Sequence, residues 1–362
     1  MKKSSKHLTP VSTLNPDIPV SQDLMQTSVI QEDYWFFVEK FWGFVFPAIT
    51  SYLLQSGFFE IISKEPLCRN ELKDRFGWEK NAADALLKFL CSHGIIEVEN
   101  ESINLTERSK NWLCQSGENF IGDFVSRAEK LMNSYNDIQS VLCEGRHHEM
   151  TYSTLASFGR SKIETRKFMS VMNTYASVNY DALRLQPFFS SLRLPNAIDV
   201  GCGPATIMRK LLKDGIVSHA VLLDFPGVIE VCIEDFCDTE ILDKIYQYKS
   251  SWRQIDLPQK FDLVLLSCVL NEEAESFARD LVQKSSDLLS VGGQVWVVGY
   301  LGGATESYEE VSSIFAMNMV FEMSSNNYDR DWISREFLRY NIVETRFVDV
   351  GGGRSLWIGE HS

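Results

Sequence analysis

Asp199, Gly201, Gly203, Asp224 and Phe225 have the types and spacing to hold a charged, sugar-bearing ligand. Glycines at a strand-to-helix turn let a ligand approach the backbone, and an acid ending the next strand can accept hydrogen bonds from both hydroxyls of a ribose. The third glycine of the dinucleotide fingerprint would fall at position 206, which is Thr206. Asp199, just ahead of the turn, would repel a pyrophosphate and attract a cationic amino-acid tail. The pattern therefore predicts S-adenosylmethionine as the ligand.

These residues need a strand, a turn, a helix and a second strand to bring them together. Residues 197–200 form an apolar run too short for a helix and followed by glycine, which fits a buried parallel strand. From 204 to 213 the apolar residues Ile207, Met208, Leu211 and Leu212 share one helical face, with Pro204 tolerated in the first turn. Residues 220–223 give the second strand. Helix and strand keep alternating afterwards: a helix at 228–235, a segment at 246–252, a strand at 261–266, a helix at 272–288 and a strand at 294–298. This predicts a parallel sheet of at least four strands. Runs at 341–348 and 355–359, joined through Gly351, Gly352 and Gly353, predict an antiparallel hairpin closing the sheet edge.

The N-terminal region follows another pattern. Residues 1–25 read as a loose basic tail with no apolar signal-peptide core. Over 33–57 the aromatics Phe37, Phe41 and Phe44 fall on one helical stripe, and Trp35, Trp42 and Val45 on another. A helix apolar all round is buried all round, so a second subunit is expected to cover it. A membrane span is not expected, because Glu39 and Lys40 interrupt the run and residues 41–54 are too few. Helices at 69–76 and 79–93 with a hairpin at 95–105 predict a winged helix. Its acids Glu79, Asp84, Glu97, Glu99 and Glu101 have the wrong sign for DNA. The domain plan is thus a tail at 1–25, a winged-helix dimerisation domain at 26–110, a helical linker roofing the site at 111–189 and the ligand-binding domain at 190–362.

Composition narrows the function classes. Lys and Arg total 35 against 49 Asp and Glu, a net charge of −14 that disfavours a nucleic-acid partner. The eight cysteines never form C-x-x-C and read as reduced thiols of a cytoplasmic protein. His147 and His148 are adjacent and point apart on any regular element, so no metal is expected.

The segments SGFFEII, LLKFLCSHGIIEV, INLTERS, FMSVM, AIDVGCGPA, LLDFPGVIE, FDLVLLSCVLNEE and LLSVGGQVWVV resemble, in order and spacing, the class I small-molecule O-methyltransferases of the plant caffeic-acid type and their bacterial relatives in pigment, phenazine and polyketide pathways. The resemblance runs from about residue 30 onward and implies an α/β, Rossmann-like methyltransferase sheet with a C-terminal antiparallel hairpin behind an all-α/winged-helix dimerisation domain. It also implies a domain-swapped homodimer. The family's glycine loop falls on Gly201 and Gly203, its ribose acid on Asp224 and its adenine neighbour on Phe225. Ser251, Trp252 and Ser267 stand on the adenine side, and Phe168, Met172, Met317 and Asn318 are candidates for the substrate pocket. The family's general-base histidine falls on Asn271, which cannot take a proton near neutrality. The glutamate that steadies that histidine falls on Gly299, leaving Glu272 or Asp329 as replacement bases. The implied activity is methyl transfer from S-adenosylmethionine to a small aromatic or polyketide-like metabolite, at carbon, nitrogen or oxygen. The alternatives are a non-methylating enzyme of the same fold, with pericyclic or decarboxylative chemistry, and a ligand-sensing winged-helix regulator.

Overall fold

The computed structural model describes residues 22–117, 119–144, 161–272, 274–302, 306–323 and 327–362. Helix α1 (Gln22–Phe41) begins inside the segment expected to be tail. The single helix expected over 33–57 is broken by a turn at 42–44, before α2 (Val45–Gln55). Gly43 sits in that turn, where a Cβ would come 3.2 Å from the Lys40 carbonyl oxygen. After α3 (Phe58–Lys64) come α4 (Glu71–Phe76) and α5 (Lys80–Ser92), then the strands β2 (Ile96–Glu99) and β3 (Ser102–Leu105). A two-residue strand, β1 (Leu67–Cys68), pairs with β3 on the other side. It is too short to leave a period in the sequence. A separate apolar core that includes Leu53, Phe58, Leu72, Leu87 and Ile103 holds this region together.

The second body is a seven-stranded sheet. β4 (Asn196–Val200), β5 (His219–Asp224), β6 (Ile245–Lys249), β7 (Phe261–Ser267), β8 (Leu289–Gly299), β9 (Ile342–Asp349) and β10 (Ser355–His361) lie in the order β6-β5-β4-β7-β8-β10-β9. The first five are parallel, and β10 and β9 complete the edge antiparallel. This agrees with the expected sheet and terminal hairpin, and the segment near 246 proves to be the strand β6. The order makes β4 the middle of the five parallel strands and puts it beside β7, where the chain crosses from one half of the sheet to the other, and such a switch point opens a crevice beyond the strand ends. Alternate residues pack opposite faces: Ala197, Leu222, Leu263 and Leu265 join one core, and Ile198, Val221, Val264 and Leu266 the other. A sheet covered on both faces has to read as continuous apolar runs, as these strands do.

One long helix controls the crevice. Ser161 starts it with a capping box, accepting from the Glu164 amide while the Glu164 carboxylate accepts from the Ser161 amide. The helix, α9 (Lys162–Arg184), then lies along the sheet on the face that includes Ala197. Asn173 pins it to the glycine turn, its side-chain oxygen accepting from the Thr206 hydroxyl at 2.7 Å and from Arg209 at 2.8 Å. Asn179 pins it to the terminal hairpin, donating to the carbonyls of Val350 at 3.0 Å and Gly351 at 3.1 Å.

Among the described residues no single helix is long and apolar enough to cross a membrane; 33–55 and 58–64 together reach the length but bend by 63°. Tyr34, Trp35, Phe36, Phe37, Phe41, Trp42 and Phe44 are all more than half exposed on the single chain.

Candidate active site

The crevice encloses about 1150 Å³, its open mouth included, between α9, the carboxyl ends of β4, β5 and β7, and the turn ahead of β10. Asp199, Gly201, Gly203, Asp224, Phe225, Ser251, Trp252 and Ser267 all line it, so the structure brings every expected cofactor residue to one crevice. Phe168 and Met172 line it too, from α9, together with Met169 and Ala176.

Local backbone geometry explains the cofactor wall. Gly201 has φ of +68°, and a Cβ there would stand 2.9 Å from the Val269 side chain. Gly203 has φ of +50°, and a Cβ on it would meet nothing within 4 Å, so that face of the chain is free for a ligand. The helix after the turn, α10 (Thr206–Lys213), starts two residues later than expected because Ala205 takes a left-handed conformation, φ +50°, before it. Asp224 is held by two backbone donors, the Gly203 amide at 2.9 Å and the Phe225 amide at 2.8 Å. Each of its oxygens keeps a lone pair for another donor, as a ribose diol requires. Burial pushes its carboxyl up to about 6, and those two amides hold it below where burial alone would put it. Asp199 is 2% exposed, on the central strand, and one of its oxygens has no hydrogen-bond partner. Burial first, and the nearby Asp224 second, raise its carboxyl well above the usual range. A buried acid and a half-buried one repelling each other beside open volume favour a ligand carrying positive charge and several donors. S-adenosylmethionine, with an ammonium group and a ribose diol, fits this donor-poor, acid-rich wall.

The expected catalytic residues are placed differently. Asn271 is 2% exposed, lies in a short turn after β7 and is not part of the crevice wall. Its amide donates to the side-chain oxygen of Asn327, whose own amide donates to the Tyr300 carbonyl at 2.7 Å and the Ser312 hydroxyl at 3.1 Å. Asp329 is exposed and serves as the N-cap of the helix α14 (Arg330–Leu338), accepting from the Trp332 amide at 2.8 Å. It does not line the crevice either. The side chain of Glu272 lies outside the described atoms, as do His147 and His148. Met317 and Asn318, on α13 (Glu306–Met323), are partly buried but away from the crevice wall, and the Asn318 side-chain oxygen accepts from the Tyr135 hydroxyl at 2.7 Å. Among the described residues no three His, Cys, Asp or Glu side chains group to hold a metal.

Sequence reasoning missed Cys202, Cys268 and Arg354, all of which line the crevice. Burial raises the Cys202 thiol to about 12, so it is inert as a nucleophile. Cys268 follows β7 with φ of +61°. In the sequence Arg354 stands as a single cation between three glycines and the apolar run SLWI, with nothing there to mark it as buried.

An O-methyltransferase domain model matches residues 135–337, more than half of the chain. The chain belongs to the O-methyltransferase family. This O-methyltransferase is 20% identical over 304 residues to a Streptomyces sahachiroi protein named 3-hydroxy-5-methyl-1-naphthoate 3-O-methyltransferase, with 82% of this chain and 87% of that one covered. Among solved structures, human N-acetylserotonin methyltransferase in complex with S-adenosylmethionine is similar to it with a TM-score of 0.75 at 16% identity, over 91% of this chain and 98% of that one. An O-methyltransferase family protein from Burkholderia thailandensis is similar with the same TM-score, identity and coverage. These identities show a shared fold. The chain is an S-adenosylmethionine-dependent methyltransferase.

Proposed function

We propose that this O-methyltransferase methylates a hydroxyl of a small aromatic or polyketide-like metabolite, without a general base at position 271. The observation that carries the reading is one crevice lined both by the acids Asp199 and Asp224 and by the apolar side chains Phe168, Met169 and Met172. Its support from relatives is the naphthoate named for the Streptomyces sahachiroi protein. When bound, S-adenosylmethionine would supply an electrophilic methyl group on a sulfonium. Asp224 and Asp199 would hold the ribose and the amino-acid tail, Phe225 and Trp252 would flank the base, and the apolar residues Phe168, Met169 and Met172 would orient a planar acceptor. Holding the acceptor oxygen in line with the methyl converts a bimolecular encounter into an intramolecular step. The hydroxyl proton leaves to solvent, since the Asn271 amide cannot take it and is committed to Asn327.

Turnover with methyl-labelled cofactor and a panel of hydroxynaphthoates tests this. One labelled methyl per molecule of substrate consumed, on oxygen, is expected. The sequestered Asn271 also favours a non-methylating reaction, in which the cofactor would be recovered intact; a ratio near zero decides for that reading.

The working form is proposed to be a homodimer in the cytoplasm, organised as a tail, a winged-helix dimerisation domain, a linker and a catalytic domain. The seven exposed aromatics between Tyr34 and Phe44 support the dimer, because a contiguous apolar surface of that kind marks an interface. Light scattering on a dilution series should return twice the chain mass at micromolar concentration, and a well-folded monomer would overturn the assembly.

A further inference from the structure

Arg354 is the one cation among the described residues lining the crevice, and it is 5% exposed. No carboxylate among the described residues lies within ion-pair distance of it. Its Nε is buried without a hydrogen-bond partner. One terminal nitrogen donates to the side-chain oxygen of Asn179 at 3.1 Å, and the guanidinium lies over the rings of Tyr175 at 4.5 Å and Tyr300 at 4.8 Å. Tyr300 is itself stacked on Phe315, with ring centroids 4.0 Å apart. Ring contacts offset only part of the cost of taking a charge out of water, and a buried charge ordinarily has an ionic partner. The chain carries a net charge of −14. Electrostatic repulsion would disfavour an anionic acceptor unless a local cation received it.

We propose that Arg354 is the acceptor-binding residue for an aromatic carboxylate, so that the substrate is a hydroxyaryl carboxylic acid whose carboxylate supplies the counter-ion that no described residue provides. The geometry separates two charges in one crevice: the acids Asp199 and Asp224 serve the cationic cofactor, and Arg354 serves the anionic acceptor. Asn179 positions the guanidinium from α9, and the Tyr175 and Tyr300 rings pack against it and hold its plane. A guanidinium suits this task better than an ammonium because its planar fork matches a carboxylate and it packs well on aromatic faces. The proposal rests on the transfer reading for its acceptor and deepens it by naming the acceptor's charge.

The test is calorimetric titration of the full chain saturated with S-adenosylhomocysteine, at about pH 7.5 where a carboxylic acid is ionised. The probes are 3-hydroxy-2-naphthoate and its neutral amide. The acid is expected to bind at least about tenfold more tightly than the amide, the size of one charge-assisted hydrogen bond. In Arg354→Gln that preference should shrink to within about threefold while S-adenosylhomocysteine affinity stays unchanged, and Arg354→Lys should keep part of it. Arg354→Met, which retains an unbranched stem between the two rings, stands in if the glutamine variant does not fold. Equal binding of acid and amide, binding of neither at millimolar concentration, or a preference that survives in the uncharged variants overturns the proposal. Those results, in a chain that binds S-adenosylhomocysteine, leave the transfer reading standing. A wild-type chain that does not bind S-adenosylhomocysteine removes both.

Discussion

The proposed cofactor and acceptor ends of the crevice carry opposite charges and are built by different means. At the cofactor end the polar groups are strand termini and turn amides: Asp199 lies within β4, Asp224 ends β5, and the amides of Gly203 and Phe225 fix the Asp224 carboxylate. At the acceptor end Arg354 follows a hairpin turn and is held by side chains, Asn179 and Tyr175 from α9 and Tyr300 from beyond β8. Backbone-built recognition is rigid and depends on chain direction. Side-chain-built recognition can be re-tuned one residue at a time, so one family can keep its cofactor while changing its substrate.

The largest effects are expected at the cofactor end. Gly201→Val places a branched side chain where φ is +68° and where even a Cβ meets Val269 at 2.9 Å. We expect affinity for S-adenosylhomocysteine to fall by about a hundredfold or more, since both backbone conformation and ligand approach are lost. Asp224→Ala, which removes the ribose acceptor, should cost about tenfold. Calorimetry on both variants is decisive: unchanged affinity in both would mean that the cofactor lies elsewhere.

The same difference explains what the sequence disclosed. Asp199, Gly201, Gly203 and Asp224 sit within one stretch, and their spacing is set by the local strand-turn-helix geometry, so the stretch reads directly as a ligand wall. The sheet was equally readable because a fully covered parallel strand must be a short apolar run. Arg354 was not, because its burial and its distance from any acid are properties of the assembled fold. Asn271 could be aligned with the family's histidine, but its partner Asn327 is far along the chain. The break at 42–44 was hidden because the aromatic pattern continues across Gly43, and α2 resumes the helical period after a single turn.

A smaller effect is expected from titration of the two acids. In the free protein burial raises the Asp224 carboxyl to about 6, and burial and the nearby Asp224 also raise that of Asp199 well above the usual carboxylate range. A cationic ligand favours the ionised forms, so it must displace protons when it binds at or below about pH 6. Cofactor affinity is therefore expected to weaken as pH falls through about 6, by up to about tenfold per pH unit for each proton displaced. Stability of the free chain runs the other way. A carboxyl raised by folding contributes stability that is fully present below its unfolded value of about 3.9 and is lost as pH rises through its folded value. The gain in Tm on adding S-adenosylhomocysteine should thus be larger at pH 8 than at pH 5. A gain independent of pH would remove these two acids from the cofactor wall. The acceptor end predicts no such dependence from Arg354, which stays charged throughout that range.

The smallest effect is expected at Asn271. Asn271→Ala removes the donor to Asn327 and leaves the Asn327 side-chain oxygen short of one partner, at a cost of about 1–3 kcal/mol in stability. Asn327 in turn donates to the Tyr300 carbonyl, and the Tyr300 ring carries the Arg354 guanidinium. The substitution should therefore loosen the acceptor end, raising KM for the acceptor by a few-fold, while leaving cofactor affinity alone. Turnover should fall by less than about tenfold, because a residue that only braces Tyr300 contributes far less than the hundredfold or more of a general base. Steady-state kinetics with the acceptor varied, alongside thermal melts, separate the two roles. A lowered Tm with a raised KM and near-normal kcat is the signature of a brace under the acceptor end. A hundredfold loss in kcat at unchanged KM and Tm would put the Asn271 amide among the reacting atoms and collapse the division of labour between the two ends.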